Sequence, residues 1–406
     1  MAIAPVFPVL DKLLSSLGES TPEALAKDEA FWQKIRKGYR LKPDYINLEN
    51  GYYCIIPTET LENFVEHARE VNYQGSWYMR TVQWENKDRV ADMVGELVGC
   101  DPGEVVITRN TTESLDTIIG GFPWKEKDEA VFADQDYGAM KHMFEQVAVK
   151  HGVVNKVISV PNHPRSDGEI VELYEKAITK KTKLLMVCHI INITGHILPI
   201  RKICDMAHSK GVEVMVDGAH AVGHFQFSMK DLDCDYYGTS LHKWLSVPLG
   251  AGMLYVKKDK ISKIWPRFAD WGKKPDDLRR LNHTGTHPVH TDLAIANAVA
   301  YLHKLGLDRK EARLRYIQNY WTDQVRDLPR IILNTPKERH RSCAIANVGV
   351  KGMKPSDLAK TLLDKYNIWT VAIDGNGVHG CRISPNIYTT TAELDVLVKA
   401  LRELSA

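Results

Sequence analysis

The stretch from Val212 to Tyr255 constrains this chain more than any other. It sets three short apolar runs in succession: Val212-Glu213-Val214-Met215-Val216, Asp235-Tyr236-Tyr237-Gly238 and Gly252-Met253-Leu254-Tyr255-Val256. The first is rich in β-branched residues and reads as a buried strand. It delivers Asp217-Gly218-Ala219-His220 at its C-terminal end, and the second run leads into Thr239-Ser240-Leu241-His242-Lys243-Trp244. Open α/β sheets place ligand chemistry at such strand ends. A carboxylate therefore stands at one strand end and an amine just after the next.

That pair is what a pyridoxal phosphate site requires. The carboxylate keeps the pyridine nitrogen protonated, and the amine condenses with the aldehyde. Either residue alone would read as solvated surface. Together, Val216-Asp217-Gly218-Ala219-His220, the 26-residue step to Lys243 and Ser240-Leu241-His242-Lys243-Trp244 resemble the class V aminotransferase family. Within it the chain is similar to the isopenicillin N epimerase-like and cysteine desulfurase-like branches. The resemblance implies the α/β, type I fold of pyridoxal phosphate enzymes, with a mostly parallel seven-stranded sheet in the large domain and a smaller α/β C-terminal domain. The implied layout is an N-terminal arm over 1–45 that packs with the small domain, a large cofactor-binding domain over 46–305 and a small domain over 306–406. The implied cofactor is pyridoxal 5'-phosphate, and the implied assembly is a homodimer with active sites at the interface.

Length and charge agree with a soluble enzyme. A chain of 406 residues buries a large core and is long for one domain. A formal charge of +2 gives no field favouring nucleic acid or an anionic membrane. The 7 cysteines are scattered singly, without a CxxC or a metal-ligand spacing, which suits reduced thiols and a cytoplasmic protein. No apolar run reaches membrane-spanning length, and the N-terminus as it stands lacks the features of a signal peptide.

Along the chain, Glu23–Ile35 reads as a helix of the arm. Asn50, Gly51 and Tyr52 follow a short extended segment, and read either as substrate contacts, as in the family, or as a turn beside two packed tyrosines. A helix starts at Pro57 with Leu61, Phe64, Val65 and Ala68 on one face. A second carries Val90, Met93, Val94, Leu97 and Val98 and stops at Gly99. The intervening Gly75–Arg80 reads as a surface loop with a packed Trp77 rather than a pocket wall. Val105–Thr108 is a strand, and Asn110-Thr111-Thr112-Glu113-Ser114 opens a helix whose exposed N–H groups suit an anion. Plain N-capping is the competing explanation for those hydroxyls. Further strands are expected at Ala130–Ala133 and Lys183–Ile190, then at Cys343–Val350 and Ile368–Ile373. The cluster Lys337–Arg341 reads as a solvated loop, and Thr390-Thr391-Ala392-Glu393 as a capping box.

The resemblance also assigns roles. Lys243 would bind the cofactor and move the Cα proton, helped by desolvation. Asp217 would face the ring nitrogen, and His220 would donate to the phenolic oxygen or stack. Thr111, Thr112, Ser240 and His242 would hold the phosphate, with Thr286 reaching over from a second subunit. Tyr137, or a neighbour, would stack on the ring because stacking needs a π face. Asn192 would sit by the phenolic oxygen or the substrate carboxylate. Arg382 would bind that carboxylate bidentately. The segment Trp369–Asn376 lacks the nucleophilic cysteine that desulfurases carry there, and Cys381 adjoins the arginine instead. The expected activity is therefore epimerisation or transamination at Cα of an amino acid or aminoacyl derivative. A cysteine-type β-lyase is the alternative enzyme, and a non-catalytic binding or regulatory protein the alternative of another class.

Overall fold

The computed structural model describes residues 7–15, 20–268, 270 and 272–406. The chain opens with three short helices, α1 (Pro8–Leu14), α2 (Pro22–Leu25) and α3 (Glu29–Arg36), and a two-residue strand β1 (Ile46–Asn47). The helix expected over Glu23–Ile35 is thus two. Asp28 breaks it, because its carboxylate caps the second helix by accepting from Phe31 N at 3.0 Å. Helices α4 (Thr58–Gln74), α5 (Ser76–Thr81) and α6 (Gln83–Val98) follow. Residues 76–81 are helical rather than a loop, and Trp77 is exposed rather than packed. Helix α6 ends as expected at Gly99, with φ of 66°. Helix α4 turns the other way from its expected face. Leu61 and Val65 are exposed, while Thr60 and His67 are buried, and His67 Nε2 meets Asn297 Oδ1 at 2.7 Å.

Strands and helices then alternate: β2 (Val105–Thr108), α7 (Thr111–Gly121), β3 (Glu129–Ala133), α8 (Gly138–His151), β4 (Val154–Ile158), α9 (Asp167–Ala177), β5 (Thr182–Cys188), α10 (Ile200–Ser209), β6 (Glu213–Asp217), α11 (Met229–Leu232), β7 (Tyr236–Ser240) and β8 (Gly252–Val256). The strands form one seven-stranded sheet in the order β2-β8-β7-β6-β5-β3-β4. β8 runs opposite to the other six strands, which share one direction. Successive side chains go to opposite faces, so Val214 and Val216 join one apolar cluster while Met215 joins the other. Helices cover both faces, which is why these strands read as continuous apolar runs.

Helices α12 (Val289–Leu305) and α13 (Leu307–Val325) lead to β9 (Ile331–Leu333), β10 (Ala346–Val350), α14 (Pro355–Tyr366), β11 (Ile368–Trp369), β12 (Val371–Gly375), β13 (Val378–Ile383) and α15 (Thr391–Ser405). A second sheet runs β12-β13-β10-β9, and β1 pairs with β11 in parallel. The strand expected over Ile368–Ile373 divides at Thr370 because its two halves pair with different partners. The strand expected from Cys343 starts only at Ala346, since Ala344 takes a φ of 50°. Arg341 is not a solvated residue: it is buried and pairs with Asp167 at 2.9 Å. The capping box at Thr390 and Glu393 is formed.

Candidate active site

Parallel strands end on a common edge, and here that edge opens on a cavity of about 320 Å³. Cys188 ends β5, Asp217 ends β6 and Ser240 ends β7, while Thr111 and Thr112 begin α7. Gly51, Tyr52 and Arg382, distant in sequence, complete the lining. A larger cavity of about 620 Å³ lies beside β2 and α6, with charges of both signs around it. Lys243 lines the smaller one, together with the convergent carboxylate, hydroxyls and helix start, and the site is assigned there.

One end of the cavity is built for an anion. Asn110 caps α7 by accepting from Glu113 N at 2.9 Å, and the positive end of the helix faces the cavity through Thr111 and Thr112. Ser240 Oγ accepts from Thr111 N at 3.0 Å and lies 2.7 Å from Thr111 Oγ1, tying the helix start to the end of β7. Thr112 lines the cavity beside them. His242 Nδ1 lies 3.3 Å from the Ala251 carbonyl, which can only accept, so the neutral ring offers a lone pair rather than an N–H at Nε2. Gly252 is needed behind this end, because a Cβ there would approach Asn110 Cα to 2.6 Å.

The centre holds a chain of nitrogen groups. Lys243 Nζ stands 3.0 Å from His220 Nε2, and Trp244 Nε1 donates to His220 Nδ1 at 3.3 Å. An indole N–H only donates, so Nδ1 must accept and the neutral ring carries its proton on Nε2. Burial, and then the charge of Lys243, holds His220 well below its ordinary pKa, so the ring is neutral at pH 7. His224 stacks on Trp244 with ring centroids 3.8 Å apart and fixes the indole plane. Beneath the turn, buried Lys310 donates to the Trp244 carbonyl. Burial lowers Lys243 to about 8, against the pull of Asp217 in the other direction. Asp217 itself is raised by burial and accepts from Ala219 N at 3.0 Å. Beside it Asp136, which the sequence reading passed over, is buried, accepts from Ala133 N at 2.7 Å and is pushed up to about 7.

At the far end Arg382 lines the cavity, but its guanidinium already has a partner. Nε donates to Glu49 Oε2 at 3.1 Å, Nη2 donates to Glu49 Oε1, and Nη1 donates to the Asn192 carbonyl at 3.3 Å. Both charged side chains are only 8% exposed. Gly51 lies flat against the guanidinium, where a Cβ would come within 2.7 Å of Cζ. The sequence reading missed Glu49. Asn50 is wholly buried, and its amide is engaged by Ser384 O at 2.8 Å, Tyr388 Oη at 2.6 Å and Asn47 Nδ2 at 3.1 Å, so it holds the wall behind Gly51. Tyr52 is 76% exposed at the rim, not packed, and Asn192 and Tyr137 line the cavity. Thr286 is exposed and lies outside this lining.

These residues fit pyridoxal 5'-phosphate: an anion cradle at one end, a buried carboxylate, and an amine whose pKa is lowered toward reactivity. The fold agrees. The structure superposes on the apo cysteine desulfurase of Thermococcus onnurineus NA1 with a TM-score of 0.81 at 21% identity, covering 92% of this chain and 97% of that one. It also superposes on a complex of the cystine C-S lyase C-DES with cysteine persulfide, with a TM-score of 0.79 at 19% identity over 89% of this chain and 97% of that one. In sequence it is 26% identical to isopenicillin N epimerase of Streptomyces clavuligerus over 93% of this chain and 99% of the relative. It is 25% identical to a probable cysteine desulfurase of Synechocystis sp. over 88% of this chain and 90% of that protein. The profile of class V aminotransferases matches residues 57–397. The chain belongs to the class V aminotransferase family, has the type I fold, and takes pyridoxal 5'-phosphate as its cofactor.

Proposed function

We propose that the chain is an isopenicillin N epimerase-like epimerase, or else a transaminase, acting at Cα of an amino acid or aminoacyl derivative. The observation that carries this is the state of its thiols. Of the seven cysteines, six are buried and Cys100 is partly exposed. Only Cys188 lines the cavity, and burial, with Asp136 and Asp217 nearby, holds its thiol well above the ordinary range. Cys381, next to Arg382, is buried and raised to about 12. A persulfide-forming nucleophile needs a thiolate at working pH, and none of these supplies one. The second reading, a β-lyase, needs no thiol and is favoured by 22% identity over 93% of the chain to the hercynylcysteine sulfoxide lyase of Schizosaccharomyces pombe.

The cofactor, when bound, supplies an aldehyde and an electron sink; the protein supplies the rest. The α7 start, Thr112 and Ser240 hold the phosphate, and Asp217 is the carboxylate placed for the ring nitrogen. His220 is held neutral, with its Nε2 facing Lys243 Nζ at 3.0 Å. Lys243 Nζ is the base that moves the Cα proton. Tyr137 is the ring-stacking residue and Arg382 the contact for the substrate carboxylate. We further propose a homodimer in which the partner's turn at 285–286 completes the cradle. The exposed apolar side chains Leu61, Val65, Tyr73, Trp77 and Trp84 on α4, α5 and α6 support burial of this face.

The deciding assay is turnover in deuterated water. Label at Cα without net keto acid is the expected result. Stoichiometric keto acid would mean transamination, and ammonia with pyruvate would overturn the reading in favour of a lyase.

A further inference from the structure

The contact between Arg382 and Glu49 has a consequence for specificity. A guanidinium presents two forks to a planar anion: a side-on fork of Nε and Nη2, and an end-on fork of Nη1 and Nη2. Glu49 takes the side-on fork. Its carboxylate is held by further donors, Tyr52 N at 3.0 Å and Ser384 Oγ at 3.2 Å. Ser384 Oγ in turn accepts from Asn50 N at 2.9 Å and Gly51 N at 3.1 Å, so the segment that carries Glu49 is fixed. Nη1 donates to the Asn192 carbonyl and Arg382 lines the cavity, so with the side-on fork taken by Glu49 the end-on fork is the one left for an incoming carboxylate to share.

We propose that Glu49 is a specificity-determining residue, an internal carboxylate that competes with the substrate's own for Arg382. This rests on the reading that Arg382 contacts the substrate carboxylate. Two consequences follow from the geometry. An incoming carboxylate either shares the guanidinium with Glu49 through the end-on fork or displaces Glu49, and in both cases it meets a like charge at contact distance. Attraction for a free carboxylate is therefore muted, and amino-acid derivatives whose carboxyl group is masked as an amide lose less here than at an unpaired arginine. The substrate class accordingly extends from free amino acids to aminoacyl derivatives.

The test uses the holoenzyme and two probes without an amine, propionate and propionamide, with affinities read by ligand-observed NMR. Wild type should prefer propionate weakly. Glu49→Gln keeps the size and an acceptor for Tyr52 N while removing the charge, and should raise the preference for propionate on the order of ten-fold, as expected for one like charge removed at this range in a partly screened site. Glu49→Asp, which retracts the charge by one methylene, should move it the same way by less, and serves if the glutamine variant does not fold. An unchanged or reduced preference in both variants, while Arg382→Gln abolishes the wild-type preference, overturns the role of Glu49 and leaves that of Arg382 standing. Unaltered propionate binding in Arg382→Gln would overturn both.

Discussion

The lowered pKa of Lys243 makes a prediction that needs no knowledge of the substrate. Burial brings the amine from 10.5 to about 8, with Arg382 pushing in the same direction and Asp217 against it. At pH 7 such an amine is neutral in about a tenth of molecules, whereas an unshifted lysine would be neutral in roughly three per ten thousand. Only the neutral amine attacks an aldehyde. Apo-protein mixed with pyridoxal phosphate should therefore gain visible absorbance at a rate that climbs about ten-fold from pH 7 to pH 9 and then levels off. The rate is to be divided by the rate constant of a simple alkylamine's neutral form at each pH, which removes the cofactor's own ionisations. Asp217→Asn should shift the midpoint down, because the charge that favours the ammonium form is gone, and Arg382→Met should shift it up. A rate that keeps rising toward pH 10.5, or a midpoint indifferent to both substitutions, would refute the desolvation argument.

Other expectations follow from the same packing. Trp244→Phe keeps the stack with His224 but removes the donor to His220 Nδ1, so nitrogen NMR should show the imidazole changing from a single Nε2–H tautomer to a mixture. Lys310 is held near 8 in the folded chain by burial, against 10.5 when unfolded. Between those values the unfolded state binds more protons, so stability should rise with pH from about 8 to 10.5 by roughly 3 kcal/mol at most. The rise should be absent in Lys310→Met. Light scattering should give twice the mass of the chain, and Leu61→Glu with Val65→Glu should shift it toward the monomer, losing about 1.5–3 kcal/mol for each apolar side chain no longer buried.

What was legible in the sequence was the part of the molecule written in short-range pattern. The strands around Asp217 and Lys243, the start of α7 and the capping box at Thr390 each rest on a few adjacent residues whose chemistry permits little else. What was not legible depends on partners far away in the chain. Thr60 rather than Leu61 is buried on α4 because α12 accepts His67 through Asn297, and exposed apolar side chains carry no local mark of their exposure. Asn50 looks like a polar residue at a site, yet Ser384 and Tyr388 exhaust its amide. Glu49 went unnoticed for the complementary reason: its significance lies in a contact 333 residues away, which neither periodicity nor spacing can register.

The two ends of the cavity are thus built differently. The end with the helix start and the lysine comes from β6 and β7, neighbours in the seven-stranded sheet, and from α7 packed against it. The carboxylate end comes from residues 49–51 held against 382–384, and their geometry depends on β1 pairing with β11 and on Asn50 bridging to Tyr388. Disturbing that junction should therefore leave the strand ends around Asp217 and Lys243 in place. On the proposed reading, substitutions there should change substrate affinity with the cofactor's absorbance unaltered, whereas those around Asp217 and Lys243 should change that absorbance. On that reading, the choice of substrate rests on a few residues where the N-terminal segment meets β13, and the cofactor chemistry on the strand ends around Asp217 and Lys243.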